Sequence, residues 1–225
     1  CDLMNAYGQT ESTSSITFLG PDDHRLDGTA EEIELKERRL RSVGRVMDDV
    51  DVSIQSPEGD ILGEGDEGEI CVMSARTMKG YYKQEEATSS AIIDGWLHTG
   101  DVGRVDEGGY LFITGRKKDI IIRGGENISP GEVENCLEDY AKIEEAAVIG
   151  VPDVEWGEVV KAVLVLKPDA TVTPEEVNVY CKSRIASFKA PQYVAVVDDL
   201  PRNAMGKVLK IDLRKKYGTP TNDHI

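Results

Sequence analysis

Apolar positions along this 225-residue chain recur in two rhythms, a period of two and a period near 3.6. Residues 43–73 carry the first. Val50, Val52 and Ile54 alternate, Pro57-Glu58-Gly59 predicts a turn, and Gly68-Glu69-Ile70-Cys71-Val72-Met73 forms a second strand. Tyr110-Leu111-Phe112-Ile113 alternates again, and Ile120-Ile121-Ile122 is an apolar strand stopped by Gly124-Gly125. Asp101, set between His98-Thr99-Gly100 and Val102-Gly103, is expected at a tight turn.

The helical rhythm follows. Ser129-Pro130-Gly131-Glu132 predicts a helix over about 130–140: Ser129 as cap, Pro130 in the first helical position, Glu132 completing a capping box. Its Val133, Cys136, Leu137 and Tyr140 share one face, a core stripe. Strands are expected at 146–151, 159–166 and 193–197. A capped helix starting at Thr173-Pro174-Glu175-Glu176 turns Val177, Tyr180, Cys181 and Ile185 inward. This β-α-β-β-α-β run predicts a compact α+β domain of about 100 residues. A basic last helix, about 210–217, is expected to be anchored by Ile211 and Leu213. Thr29 can cap a helix whose Ile33, Leu35 and Leu40 make a poor stripe, so the charged segment 21–41 reads as a solvated surface insertion.

Composition narrows the class. An apolar share of 40% fits a globular chain, and no apolar run approaches the ~20 residues of a membrane span. No signal-peptide pattern opens the chain, which begins with Cys1, so a piece of a longer protein is expected. Cys1, Cys71, Cys136 and Cys181 form no CxxC pair and read as reduced thiols of a cytoplasmic protein. The net charge of −16 is uneven: residues 1–115 hold 10 Lys+Arg against 24 Asp+Glu, the remainder 16 against 18. Such a balance argues against nucleic-acid binding. Cations cluster at 116–123, 182–189 and 202–216 instead, which suits a small phosphorylated ligand.

Candidate chemistry concentrates in residues 95–134. A fixed carboxylate at Asp101 can accept hydrogen bonds from a ribose diol, and Arg116 can fork onto phosphate oxygens. Glycines let a ligand approach the backbone. A hairpin with a solvated basic turn, followed by an ordinary capped helix, accounts for the same residues without a ligand. Upstream, Tyr7-Gly8-Gln9-Thr10-Glu11 reads as a glycine turn bringing together an aromatic that can stack on a purine, a hydroxyl, and a carboxylate suited to Mg²⁺. A loop with a helix cap is the plainer alternative. Lys207 follows Gly206 on a proline-led loop, Pro201-Arg202-Asn203-Ala204-Met205-Gly206-Lys207, and is unremarkable alone.

Taken in order, these motifs resemble those of the adenylate-forming enzymes: acyl-CoA synthetases, luciferases and peptide-synthetase adenylation domains. YGQTE at 7–11, Gly68-Glu69 with Lys79-Gly80-Tyr81-Tyr82, the 95–134 run, Ser187-Phe188-Lys189-Ala190-Pro191 and the loop ending at Lys207 together span nearly the whole chain. The resemblance implies an α+β fold: a β-barrel-like subdomain of the large AMP-binding domain over 1–117, then a small mobile domain over 118–225. It places Tyr7 against adenine, Thr10 at the nucleotide phosphate, Glu11 at Mg²⁺, Asp101 on both ribose hydroxyls and Arg116 on ribose and phosphate. Lys118 falls on the hinge. Gly124, Gly125, Glu126 and Asn127 line the pantetheine tunnel, Lys207 is the catalytic lysine, and Lys189 is either a CoA contact or a solvated lysine.

The activity implied for the parent is acyl-CoA synthesis. A carboxylic acid and ATP give acyl-AMP and pyrophosphate, and CoA then takes the acyl group. GGENISPGEVE reads as the CoA-ligase form of the linking run. The alternatives are a non-catalytic nucleotide-binding fragment, or an adenylating enzyme whose second step is carrier-protein loading or oxidation. The family's upstream phosphate loop and most of its acyl pocket are absent, so the chain alone is expected to be inactive.

Overall fold

The alternating runs become three sheets. The computed structural model describes residues 1–223, and the chain divides into two units, Cys1–Lys117 and Lys118–Ile225. His224 and Ile225, which end the expected second domain, lie outside the described residues.

In the first unit, β1 (Asn5–Gln9), β2 (Ser14–Leu19) and β3 (Arg45–Val46) form an antiparallel sheet in that order. Between β2 and β3 lies α1 (Ala30–Arg39), which buries no residue. Thr29 caps it as expected: Thr29 Oγ1 accepts from the Glu32 amide while the Glu32 carboxylate accepts from the Thr29 amide. The second sheet comprises β4 (Asp51–Gln55), β5 (Gly68–Met73), β6 (Ile92–Ile93, after the short helix α2, Glu85–Ala91), β7 (Trp96–Val105) and β8 (Leu111–Arg116). Its order is β4-β5-β7-β6, with β8 also on β7. Reciprocal bonds, Val43 N to Leu111 O at 2.8 Å and Leu111 N to Gly44 O at 2.9 Å, join the two sheets into a curled, barrel-like body. Ile16, Val50, Ile54, Ile70, Val72 and Leu111 fill it.

The second unit holds β9 (Ile121–Arg123), β10 (Glu126–Ile128), α3 (Pro130–Glu138), β11 (Ile143–Asp153), β12 (Gly157–Leu166), α4 (Pro174–Lys182), β13 (Tyr193–Val196) and α5 (Lys210–Tyr217). The sheet runs β10-β9-β12-β11, with β13 parallel to β12. Strand alternation feeds two cores. Val148, Val160, Ala162 and Leu164 pack with Val133, Cys136 and Leu137 of α3 and with Val177 and Cys181 of α4. Ile149, Val159 and Val163 pack with Leu213 and Tyr217 of α5. A strand buried on both faces reads as a continuous apolar run, as β12 does. Its exception is Lys161, which is fully buried and donates to Thr219 O at 2.8 Å and to Asp223 Oδ2 at 2.6 Å.

Four local expectations need correction. Asp101 lies inside β7, not at a turn, beside Gly100 at φ +71°; β7 bulges there against β5. Gly8 lies in β1 rather than in a turn, and a Cβ there would fall 1.9 Å from Ser14 O, so the irregular β1–β2 register needs a glycine. The Ser129 hydroxyl makes no capping bond to α3, and the Glu132 carboxylate is drawn to Lys189 Nζ at 2.7 Å instead of back to the helix start. On α5 the anchors are Leu213 and Tyr217, four apart on one face, whereas Ile211 is 61% exposed on another. The hairpin alternative for the basic run also fails: β8 pairs with β7 in the first unit, and β9 pairs with β10 and β12 in the second.

Candidate functional site

Asp101 is the centre of the first unit's polar cluster. It pairs across the ladder with Arg116, and the bulge at Gly100 re-aims this stretch of β7. Thr99 Oγ1 donates to Ile70 O at 2.7 Å and accepts from the Asp101 amide at 3.1 Å, which fixes the backbone. The Asp101 carboxylate, only 6% exposed, receives Arg116 Nε on Oδ1 at 2.7 Å and the Tyr7 hydroxyl on Oδ2 at 2.8 Å. Burial first, then the adjacent Asp101 charge, push the Tyr7 phenol far above its ordinary range, so it stays a donor. A carboxylate offers about four lone-pair sites. Two are taken here, and two remain, the number a vicinal diol needs. The Arg116 side chain beside them is 39% exposed.

Thr10 and Glu11 follow directly, on a single 3₁₀ turn, Thr10–Ser12, that leaves Thr10 exposed and Glu11 half-buried. Tyr81 donates its hydroxyl to Glu11 Oε1 at 2.9 Å, and the Met78 amide donates to Glu11 O at 2.8 Å. One carboxylate oxygen so steadied is a hard donor that fits Mg²⁺, an ion that keeps most of its shell as water and phosphate. Tyr7, Thr10, Glu11, Asp101 and Arg116 therefore all belong to one unit.

The other candidates lie in the second unit. Gly124 and Gly125, at φ +58° and +90°, make the two-residue loop between β9 and β10. Left-handed values at both positions are those of a type I′ turn. A Cβ on Gly124 would stand 2.7 Å from the Trp156 ring, and the Gly124 amide donates to Trp156 O at 2.8 Å. Arg123 covers the same ring at 5.0 Å. Glu126 and Asn127 are exposed. Lys118 is exposed on the 3₁₀ turn Lys117–Asp119, while its neighbour Asp119 is buried and held by Arg214 at 2.8 Å.

Lys207 projects from a loop whose base is well bonded. Asn203 Oδ1 accepts from the amides of Met205 and Lys207 at 3.0 and 2.9 Å, and Arg202 donates to Gly206 O at 2.8 Å while pairing with Glu145. Sequence reasoning missed Asn203, Arg202 and Glu145 as the supports of that loop. An Asn before a glycine was the available signal. It also left Lys189 open; its ammonium is committed to Glu132.

A further network, unforeseen in the sequence, lies behind Asp101. Glu69 accepts from Lys117 Nζ at 2.8 Å and from the Gly100 amide at 3.2 Å, and lies 3.0 Å from His98 Nδ1. Burial alone raises the Glu69 pKa, but the bonds from Lys117 and His98 outweigh it and bring it below the usual range. Cys71 Sγ stands 3.4 Å from the same His98 nitrogen. Burial and the Glu69 charge push this thiol up to about 12. All four cysteines are free, and three of them are buried. Among the described residues no helix is long and apolar enough to cross a membrane.

Comparison with known proteins places the chain as a whole. Residues 1–82 match the model of the AMP-binding enzymes, and residues 132–207 match that of the AMP-binding enzyme C-terminal domain. A feruloyl-CoA synthase from Amycolatopsis is 39% identical over 216 residues, 96% of this chain and 42% of its own length. The solved o-succinylbenzoate CoA synthetase MenE of Bacillus subtilis, in complex with its acyl-adenylate intermediate OSB-AMP, superposes with a TM-score of 0.81 at 37% identity over 95% of this chain and 41% of its own. The amide bond synthetase McbA of Marinactinospora thermotolerans gives a TM-score of 0.83 at 36% identity over 96% of this chain and 42% of its own. The chain thus spans about two fifths of the length of the proteins it matches. With both family models matched in order along one chain, it belongs to the AMP-binding enzymes.

Proposed function

We propose that this chain is the C-terminal portion of an ATP-dependent acyl-CoA synthetase, and that Tyr7, Asp101 and Arg116 hold its nucleotide. The observation that carries this is the Asp101 carboxylate, buried and fixed by two donors yet with two acceptor sites left for a ribose diol. Thr10, exposed on the 3₁₀ turn that follows β1, is assigned to the phosphate. Tyr7 and Arg116 keep the carboxylate oriented, a positioning contribution. Glu11, steadied by Tyr81, would hold Mg²⁺, which when bound masks charge on the nucleotide phosphates.

In the first half-reaction a carboxylate attacks the α-phosphate of ATP, forming the acyl–phosphate bond and releasing pyrophosphate. Two anions must meet, so a cation at the developing charge lowers the barrier. Lys207, exposed where the bonded 202–208 loop closes, is the residue assigned to that task. In the second, the thiol of CoA displaces AMP from the acyl carbon. The Gly124–Asn127 loop would line its approach, the tight glycine turn leaving room for a slender pantetheine arm. Lys118 is assigned as the pivot between the two tasks, supported by the division of the chain into units at this point.

The test is a half-reaction assay on the longer parent. Lys207→Ala is expected to lower carboxylate-dependent pyrophosphate release by about 10²–10³-fold, the scale of losing one transition-state charge partner. Thioester formation from supplied acyl-AMP should stay within a few-fold of normal. Equal loss of both half-reactions overturns the assignment. The 225-residue chain by itself is expected to release no pyrophosphate with any acid, ATP and Mg²⁺.

A further inference from the structure

The network behind Asp101 has the composition of a metal site that the adenylation reading does not use. Cys71 and His98 are direct cross-strand partners on β5 and β7, and Glu69, two residues before Cys71, points to the same face. One oxygen, one nitrogen and one sulfur from these three residues lie within 4.8 Å of one another. His98 Nδ1 faces both others, at 3.4 Å from Sγ and 3.0 Å from Oε2. Tetrahedral zinc, with bonds of about 2.0–2.3 Å, needs ligand atoms about 3.3–3.6 Å apart; the two His98 distances are close to this, and rotation of the Glu69 or Cys71 side chain would set the third.

The surroundings favour a cation. Lys117 Nζ already sits 2.8 Å from Glu69 Oε2, and its side chain is 57% exposed and free to swing away. A cavity of about 740 Å³, lined by Glu69, His98, Lys117, Tyr81 and Trp96, opens beside the carboxylate and imidazole and supplies a path and room for a fourth, water ligand. We propose that Glu69, Cys71 and His98 form a site for one thiophilic divalent cation of the zinc class, which takes the place of the Lys117 ammonium. Sulfur and imidazole together select such an ion over magnesium. Binding forms a metal–sulfur bond, and the thiol proton passes to solvent. Three protein ligands with an open fourth position match a reactive rather than a purely structural site. The proposal is independent of the nucleotide assignment.

The probe is Co²⁺ alone, titrated into this chain carrying Cys1→Ser so that the exposed terminal thiol cannot chelate. One equivalent is expected to bring thiolate-to-cobalt charge-transfer absorption in the near ultraviolet and intense tetrahedral bands in the red, both displaced by Zn²⁺. Cys71→Ser should remove the charge-transfer band, and His98→Gln should weaken binding at least tenfold. Lys117→Met should tighten it several-fold, an effect no structural role for the lysine would give. Circular dichroism of each variant separates lost ligation from lost folding, and Lys117→Met carries the test if the buried variants fail to fold. Absence of the bands from the Cys1→Ser chain, their survival in folded Cys71→Ser, or unchanged affinity in Lys117→Met overturns the proposal.

Discussion

At the scale of single residues, the chemistry here is set by which charges are covered. Tyr7 shows the effect most clearly. Its phenol is raised above the unfolded value of 10.0 by burial and by Asp101. A group whose pKa is raised on folding contributes stability that is complete below its unfolded pKa and lost as pH rises above it. The first unit should therefore lose thermal stability above about pH 10, because the native state holds a proton that the unfolded chain gives up. In Tyr7→Phe the loss should be shallower, read as melting temperature against pH from 8 to 11. An unchanged slope would mean that the Tyr7 phenol is not buried against Asp101 in solution. Lys161 makes a different point: nothing in the sequence of β12 marks a lysine as fully buried, because its partners, Thr219 O and Asp223, are some sixty residues away.

Elements were legible to the extent that their signals were local. The Thr173 cap of α4 and the Thr29 cap of α1 form as read, each within four residues. Thr173→Ala should destabilise the second unit by about 1 kcal/mol, measured by urea unfolding, since it strands an amide at the helix start. At α3 the Glu132 carboxylate meets Lys189, 57 positions on, and this ion pair takes it from the reciprocal half of the expected capping box. On α5 Leu213 is an anchor as expected, but its companion is Tyr217, four residues on, and not Ile211, which hydrophobicity alone marks. Leu213→Ala should cost about 2–5 kcal/mol, the range for emptying a packed core position. Ile211→Ala should stay within about 0.5 kcal/mol, as exposed substitutions do. Comparable losses for both variants would refute this packing of α5.

For the molecule as a whole, the unit boundary carries the functional argument. β8 ends at Arg116 in one sheet and β9 begins at Ile121 in another, so the intervening turn is the sole covalent link between units. Proline fixes φ near −65° and removes an amide. Lys118→Pro in the longer parent should leave adenylation nearly intact and lower thioester formation about tenfold or more, a barrier rise of ~1.4 kcal/mol. Rapid-quench measurement of the two half-reactions checks this; an unaltered thioester rate removes Lys118 from the pivot role.

Period-two and period-3.6 patterns determined by themselves the clearly alternating strands and the capped helices, such as β4, β12, α3 and α4, because side-chain alternation is a property of the backbone. The ordered motifs from Tyr7 to Lys207 likewise carried the family. What only the tertiary structure decided was partnership. Asp101 became a buried acceptor because the bulge at Gly100 and the register with Arg116 put it there. Glu69, Cys71 and His98 became one cluster because two strands paired in one register. Pairing across 27 or 94 residues depends on the register and packing of the whole unit, and no local pattern encodes it.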